Sequence, residues 1–272
     1  NKEGHNIICL IRPASNIEKL KNSNINFIEG DITDPASLHD FIKDLDICYH
    51  IAAQVNNATK AQYYDTNVNG TKNICESIRK YNQNCKLIYC SSIAIFRLKW
   101  HNKFIYSHYT NSKHKAEKII KYYMEKHNQK TTIIYPGYIY GPGDRNFIPS
   151  VIYLLNKGLK FLVRGGEKNF PIIYVDDLCE LFYRAGINKN TINKRYIGVN
   201  TETIGVNSLL KIIGKKLNLH VPTKIYPKLP LVILTVIIEK TYQLFRLKSQ
   251  PPLTMRIIGF LSYNYVPTNN NN

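Results

Sequence analysis

The feature that most constrains this chain is an alternation. Short, unbroken apolar runs take turns with stretches patterned for helices. The runs cover residues 7–11, 25–29, 46–53 (DICYHIAA), 85–92 (CKLIYCSS) and 131–135 (TTIIY). Between them the pattern predicts helices over about 15–21, from Asp34-Pro35 to about 43, over 61–80, and from about Tyr109 onward. Strands that read as continuous apolar runs are covered on both faces, and parallel strands need crossover helices. The expected fold class is therefore α/β, a doubly wound parallel sheet. Three regions are expected: a nucleotide-binding domain over 1–144, a smaller α/β substrate-binding region over 145–265, and a disordered tail over 266–272. A strand near 195–199 is expected to return to the main sheet.

One part of this pattern is missing from the sequence. No G-x-x-G-x-x-G or G-x-G-x-x-G occurs, and the chain opens on what reads as the end of a crossover helix, with Gly4 as its stop. In a doubly wound sheet the glycine-rich turn follows a central first strand. The expectation is that this strand and its loop lie upstream of Asn1. Residues 1–272 alone are then expected to bind a dinucleotide poorly.

Composition narrows the rest. The net charge is +18, yet the lysines are spread evenly and no basic block or nucleic-acid motif stands out. That reading argues against a specific nucleic-acid partner. Six cysteines form no C-x-x-C pair, and several sit in apolar runs. They are read as reduced core residues of a cytoplasmic protein, with no metal site. No apolar run reaches the roughly 18 residues of a membrane span. The longest candidate, LPLVILTVII over 229–238, is read as a helix packed on a core.

The stretch YTNSKHKAE carries the chemistry. Tyr-x-x-x-Lys alone is weak, since Tyr122/Lys126 and Tyr153/Lys157 also match. Only Tyr109/Lys113 follows a Ser-Ser pair, Ser91 and Ser92, at the end of a buried strand. Spacing of four places Tyr109 and Lys113 on one helix face. A free tyrosine titrates near 10, too high for a base at neutral pH. A lysine charge at about 4 Å in an effective dielectric near 20 is worth roughly 4 kcal/mol, or about 3 pKa units. On that arithmetic Tyr109 becomes an acid/base, Lys113 tunes it, and Ser92 orients the substrate oxygen.

With these residues in view, the chain resembles the extended short-chain dehydrogenases/reductases, which include the NAD-dependent sugar epimerases and dehydratases, 3β-hydroxysteroid dehydrogenase-like proteins and dihydroflavonol reductases. GDITD resembles the adenine-pocket motif, which implies cofactor contacts from Asp31 and Ile32. YHIAAQV resembles the segment whose Ala52 and Ala53 line the cofactor. NVNGTKNI resembles the helix of the structural asparagine, here Asn67. YPGYIYGPGD resembles the loop over the nicotinamide, which brings in Pro136. IIYVDDL and RYIGVN resemble later structural segments. The resemblance implies that Ser92, Tyr109 and Lys113 are catalytic, that Tyr109 and Lys113 also hold NAD(P), and that the enzyme is a homodimer pairing through its long helices. Arg12 at the end of a strand suits the 2′-phosphate of NADP.

Departures bear on the substrate. Tyr135 stands where the family often has Arg before Pro. Ile95-Phe96-Arg97 replaces the usual V-Y-G. Phe170 lies near the position of an Arg that pairs pyrophosphate in many sugar-nucleotide enzymes, and such Arg–phosphate bonds are hard to replace. A less polar alcohol or ketone substrate is expected, with a nucleotide-sugar epimerase or dehydratase as the alternative and a non-catalytic NAD(P)-binding protein as a third reading. Asp176 and Asp177 are read as helix-capping residues, Ser91 as structural, and His50 and His108 as bystanders.

Overall fold

The computed structural model describes residues 4–21, 24–55, 58–99, 107–245, 249 and 251–264. The tail expected over 266–272 lies outside them. In chain order the elements are β1 (Ile8–Ile11), β2 (Asn26–Glu29), α1 (His39–Ile42), β3 (Ile47–His50), α2 (Lys60–Tyr64), α3 (Gly70–Tyr81), β4 (Lys86–Cys90), α4 (His108–His127) and β5 (Thr131–Pro136). There follow β6 (Tyr138–Tyr140), α5 (Phe147–Asn156), β7 (Leu162–Val163), β8 (Ile172–Tyr174), α6 (Val175–Ile187), β9 (Arg195–Gly198), α7 (Val206–Leu217), β10 (Ile225–Tyr226), α8 (Lys228–Leu244) and α9 (Met255–Leu261).

The chain divides into two units. The first comprises residues 1–100, 106–135 and 181–196. Its main sheet has the order β3-β4-β5-β9, with β3–β4 and β4–β5 parallel. β1 and β2 pair in parallel as a separate ribbon, so β1 and β3 are both sheet edges. The runs of β4 and β5, Leu87-Ile88-Tyr89 and Ile133-Ile134-Tyr135, are buried, as are Ile74, Ile78, Ala116 and Ile120 of α3 and α4. The expected mixed α/β, parallel Rossmann-type class holds.

The second unit comprises 136–180 and the described residues from 197 to 264. It carries two parallel pairs, β6–β8 and β7–β10. Phe170 is fully buried at the centre of an aromatic group. It stacks on Tyr138 at 4.7 Å and meets Phe260 and Tyr263 edge-on. Gly141 is required there: φ is +129°, and a Cβ would meet the Tyr174 ring and Val175 at 2.8 Å. The Asp144 carboxylate accepts from the backbone N–H groups of Asn146, Phe147 and Ile148, which starts α5.

Several local expectations need correction. The helix expected over 15–21 is a single 3₁₀ turn, Glu18–Leu20. The long helix expected over 61–80 is present, running without a gap from Lys60 to Tyr81, with a π turn, Asp65–Asn69, between α2 and α3. Cys179 is exposed rather than in the core, although Cys48, Cys75 and Cys85 are buried and all six thiols are free. The apolar run over 229–238 is helical, but Leu229, Ile233 and Ile237 face solvent. An apolar run does not say which of its faces finds a partner.

Candidate active site

The site is built where β4 ends. Ser91 and Ser92 follow the strand, and α4 begins at a Ser107 N-cap whose hydroxyl accepts from Thr110 N–H at 3.1 Å. That cap places Tyr109 in the first turn and Lys113 one turn on. The Ser92 side chain lies near enough to the Tyr109 phenol to act on it, and its hydroxyl accepts from Ala94 N–H at 3.2 Å. Lys113 Nζ donates to the Cys90 carbonyl at 2.6 Å and lies over the Tyr89 ring, 4.5 Å from its centroid. The structure thus brings Ser92, Tyr109 and Lys113 together at the carboxyl end of the parallel sheet.

The electrostatics differ from the expectation. Burial pushes the Tyr109 phenol up to about 12, and the nearby Ser92 offsets only part of this. Lys113 is not among the groups acting on Tyr109, because its ammonium is turned to the Cys90 carbonyl and the Tyr89 ring. The lowering by lysine expected from distance alone is therefore corrected. Burial also lowers Lys113 itself, to about 8.

Behind the site stands a polar frame. Asn67, buried in the π turn, accepts from Gln54 N–H at 2.7 Å and donates to the Gln54 carbonyl and to Ser112 Oγ. Ser112 in turn donates to the Tyr109 carbonyl at 2.7 Å. Its amide is thus spent on protein groups. Glu117, one turn beyond Lys113, is buried and accepts from Ser91 at 2.9 Å and Tyr135 at 3.0 Å, with Lys121 at 2.7 Å. The contacts of Ser112, Tyr89 and the Cys90 carbonyl were not legible in the sequence. Only Ser112 left a signal there, as a small polar residue three after the tyrosine.

The other expected residues fall as follows. Asp31 Oδ1 accepts from Thr33 N–H and Oγ1, both at 2.9 Å. Ile32 is buried, and its carbonyl takes the Asn73 amide at 2.8 Å. Arg12 is exposed just after β1, and its N–H donates to Ser15 Oγ. Pro136 is buried at the end of β5. His50 is buried, bonded to Thr71 at 2.9 Å, and lowered by burial to about 3.

The residues present fit part of a dinucleotide. At the end of β3, Ile51 and Ala52 are exposed and Ala53 half-buried, which leaves apolar backbone and side chain open to a flat ring. The Tyr89 hydroxyl is buried, its ring under the Lys113 ammonium, with no hydrogen-bond partner among the described residues. These groups suit the ring and ribose portions. The sequence holds no glycine-rich turn for the pyrophosphate.

A parallel α/β sheet with a serine, a tyrosine and a lysine gathered beyond its carboxyl edge defines a Rossmann-type protein of the extended short-chain dehydrogenase/reductase superfamily. Within it, the chain belongs to the NAD dependent epimerase/dehydratase family, whose model matches residues 1–197. It is 26% identical over 209 residues to the N-acetyl-alpha-D-glucosaminyl-diphospho-ditrans,octacis-undecaprenol 4-epimerase of Escherichia coli O157:H7, covering 73% of this chain and 62% of the relative. It is 22% identical over 270 residues to the 2-alkyl-3-oxoalkanoate reductase of Shewanella oneidensis, covering 91% and 69%. The fold matches that of the Bordetella bronchiseptica enzyme WbmH in complex with NAD+, with a TM-score of 0.66, 20% identity, and coverage of 83% of this chain and 79% of the other. The chain thus spans between three-fifths and seven-tenths of the length of these curated relatives.

Proposed function

We propose that this chain carries the catalytic centre of an NAD(P)-dependent oxidoreductase acting at a carbinol or ketone carbon. The observation that carries the reading is Ser92 at the end of β4 beside the Tyr109 phenol, with Lys113 on the next turn. Ser92 orients the substrate oxygen. Tyr109 holds the proton that passes to or from that oxygen. Lys113 keeps donors for a ribose diol beyond its bond to Cys90. Asp31, Ala52 and Ala53 line the adenosine and ring portions, with Ile32 supporting them from the core, and Pro136 borders the nicotinamide. When bound, the nicotinamide supplies hydride exchange and, oxidised, a positive charge. Asn67 holds the first turn of α4 through Ser112. A phenol raised to about 12 keeps its proton at neutral pH, so Tyr109 stands protonated for donation to a ketone oxygen.

The substrate is assigned as a weakly polar alcohol or ketone. Phe170 stands near the position where many sugar-nucleotide enzymes carry a pyrophosphate-pairing Arg, and it is wholly buried among aromatic rings. The alkyl-oxoalkanoate reductase relative supports this choice. The lipid-linked sugar epimerase relative supports the second reading, a nucleotide-sugar-type epimerase or dehydratase. Exposed Arg12 favours NADP, and the reduced thiols favour the cytoplasm. The pairing of two copies is assigned to α3 and α4.

The test is turnover of NADPH and NADH against ketone and nucleotide-sugar panels, with coenzyme binding followed by fluorescence. Tyr109→Phe is expected to lose at least about a hundredfold in kcat while binding coenzyme normally. Undiminished turnover in that variant sinks the mechanism. Tighter binding of NADH than NADPH removes the role given to Arg12.

A further inference from the structure

Helix α8 is turned inside out for a globular protein. Leu229, Ile233 and Ile237 repeat every four residues, and Leu244 falls on the same face. They are 69%, 55%, 57% and 78% exposed. The opposite face is the packed one, with Leu231 and Thr235 buried. The strand β10 just before it adds Ile225 and Tyr226, both exposed. An apolar patch of this extent calls for a partner.

Charge identifies the partner. From residue 203 to residue 264 the sequence holds nine basic side chains: Lys211, Lys215, Lys216, Lys224, Lys228, Lys240, Arg246, Lys248 and Arg256. The only carboxylate in that span is Glu239, which accepts from Met255 N–H at the start of α9. Lys224 and Lys228 are exposed beside the N-terminal end of the apolar face, and Lys240 lies exposed along it. A second copy of this face would bring like charges together. The sequence after 264, YVPTNNNN with its single tyrosine and valine, has no apolar stripe to cover it. A nucleic acid would answer the lysines but leave the leucines and isoleucines wet.

We propose that α8 docks in the plane of an anionic lipid bilayer. Leu229, Ile233, Ile237 and Leu244 enter the acyl boundary. Lys224 and Lys228 meet the phosphates, and the Lys240 stem lies along the apolar face with its ammonium reaching out to them. The helix has 17 residues and cannot span a bilayer, which needs about 20. This docking stands apart from the catalytic reading and survives its failure.

The test is co-sedimentation of the full protein with phosphatidylcholine vesicles, with and without phosphatidylglycerol. Binding is expected only with the anionic lipid, weakening as salt rises. Ile233→Asp with Ile237→Asp is expected to lower partitioning at least about tenfold. Each of Lys224→Ser and Lys228→Ser is expected to lower it about fivefold, from roughly 1 kcal/mol per surface lysine. The replaced side chains are exposed, so circular dichroism is expected to match the parent. A Leu244→Trp probe shifts its emission to the blue on vesicle binding. No binding by the parent, or equal binding by the Asp variant, overturns the proposal. So does a dimer that the Asp substitutions dissociate, since a second copy would then cover the face.

Discussion

Lys113 is charged, buried, and has no carboxylate within bonding distance among the described residues. Its recorded contacts are the Cys90 carbonyl and the Tyr89 ring. Its pKa is near 8 in the fold, against about 10.4 in the unfolded chain, so the unfolded state binds the proton more tightly. Stability therefore rises as pH climbs from 8 towards 10, and below 8 the charge costs the fold about 3 kcal/mol. Lys113→Met is expected to be more stable than the parent by about 1–2 kcal/mol at pH 7, with the gap closing by pH 10. It is also expected to lose coenzyme affinity. Urea titrations at the two pH values check this, and a destabilised Met variant at pH 7 contradicts it. Tyr135, a departure from the family pattern, has a structural account. Its hydroxyl donates to buried Glu117, so a neutral phenol serves that carboxylate here. Burial and the same carboxylate raise its own pKa, which keeps the proton in place.

Elements are held to the sheet by polar fasteners as well as by apolar packing. Lys86 on β4 is the clearest. Its ammonium donates to the carbonyls of Ala185, Gly186 and Asn188 at 2.6, 2.9 and 2.8 Å, and to Thr191 Oγ1 at 2.9 Å. These are the open carbonyls at the end of α6, where a cation also meets the negative end of the helix dipole. Burial lowers the pKa of Lys86. Lys86→Met is expected to cost about 2–4 kcal/mol, because buried carbonyls lose their donors. Chemical denaturation measures it, and a change under about 0.5 kcal/mol would show that water replaces the ammonium. The π turn at 65–69 works on the same scale. It faces Asn67 inward, to bridge Gln54 and Ser112, and so sets where α4 starts.

At the scale of the whole molecule the net charge of +18 acts on association. Two copies repel at low ionic strength, and salt screens that repulsion within about 10 Å at 0.1 M. A homodimer formed through α3 and α4 is therefore expected to gain population as salt rises. Sedimentation equilibrium at low and high salt reads this directly, and a monomer at both counts against the dimer. Lipid docking through α8 has the opposite salt dependence, which separates the two events in one protein.

The parallel α/β class, the strand runs and the Ser92–Tyr109–Lys113 grouping were all legible in the sequence. Apolar periodicity and the spacing from a strand end to a helix start are local properties, written in adjacent residues. The π turn at 65–69 inside the long helix was not legible, because it depends on where Asn67 finds partners thirteen and forty-five residues away. The direction of the Lys113 ammonium was not legible either, since spacing of four sets a shared face and not which acceptor wins. The outward face of α8 belongs with these. Composition determined that the helix is apolar, whereas only tertiary packing, by burying Leu231 and Thr235, decided which apolar side was left over. Sequence by itself determined the elements and the residue types gathered at the site. Burial, partner choice and the pKa values that follow from them were decided by the tertiary structure, because each depends on groups distant in the chain and on how much water the fold leaves between them.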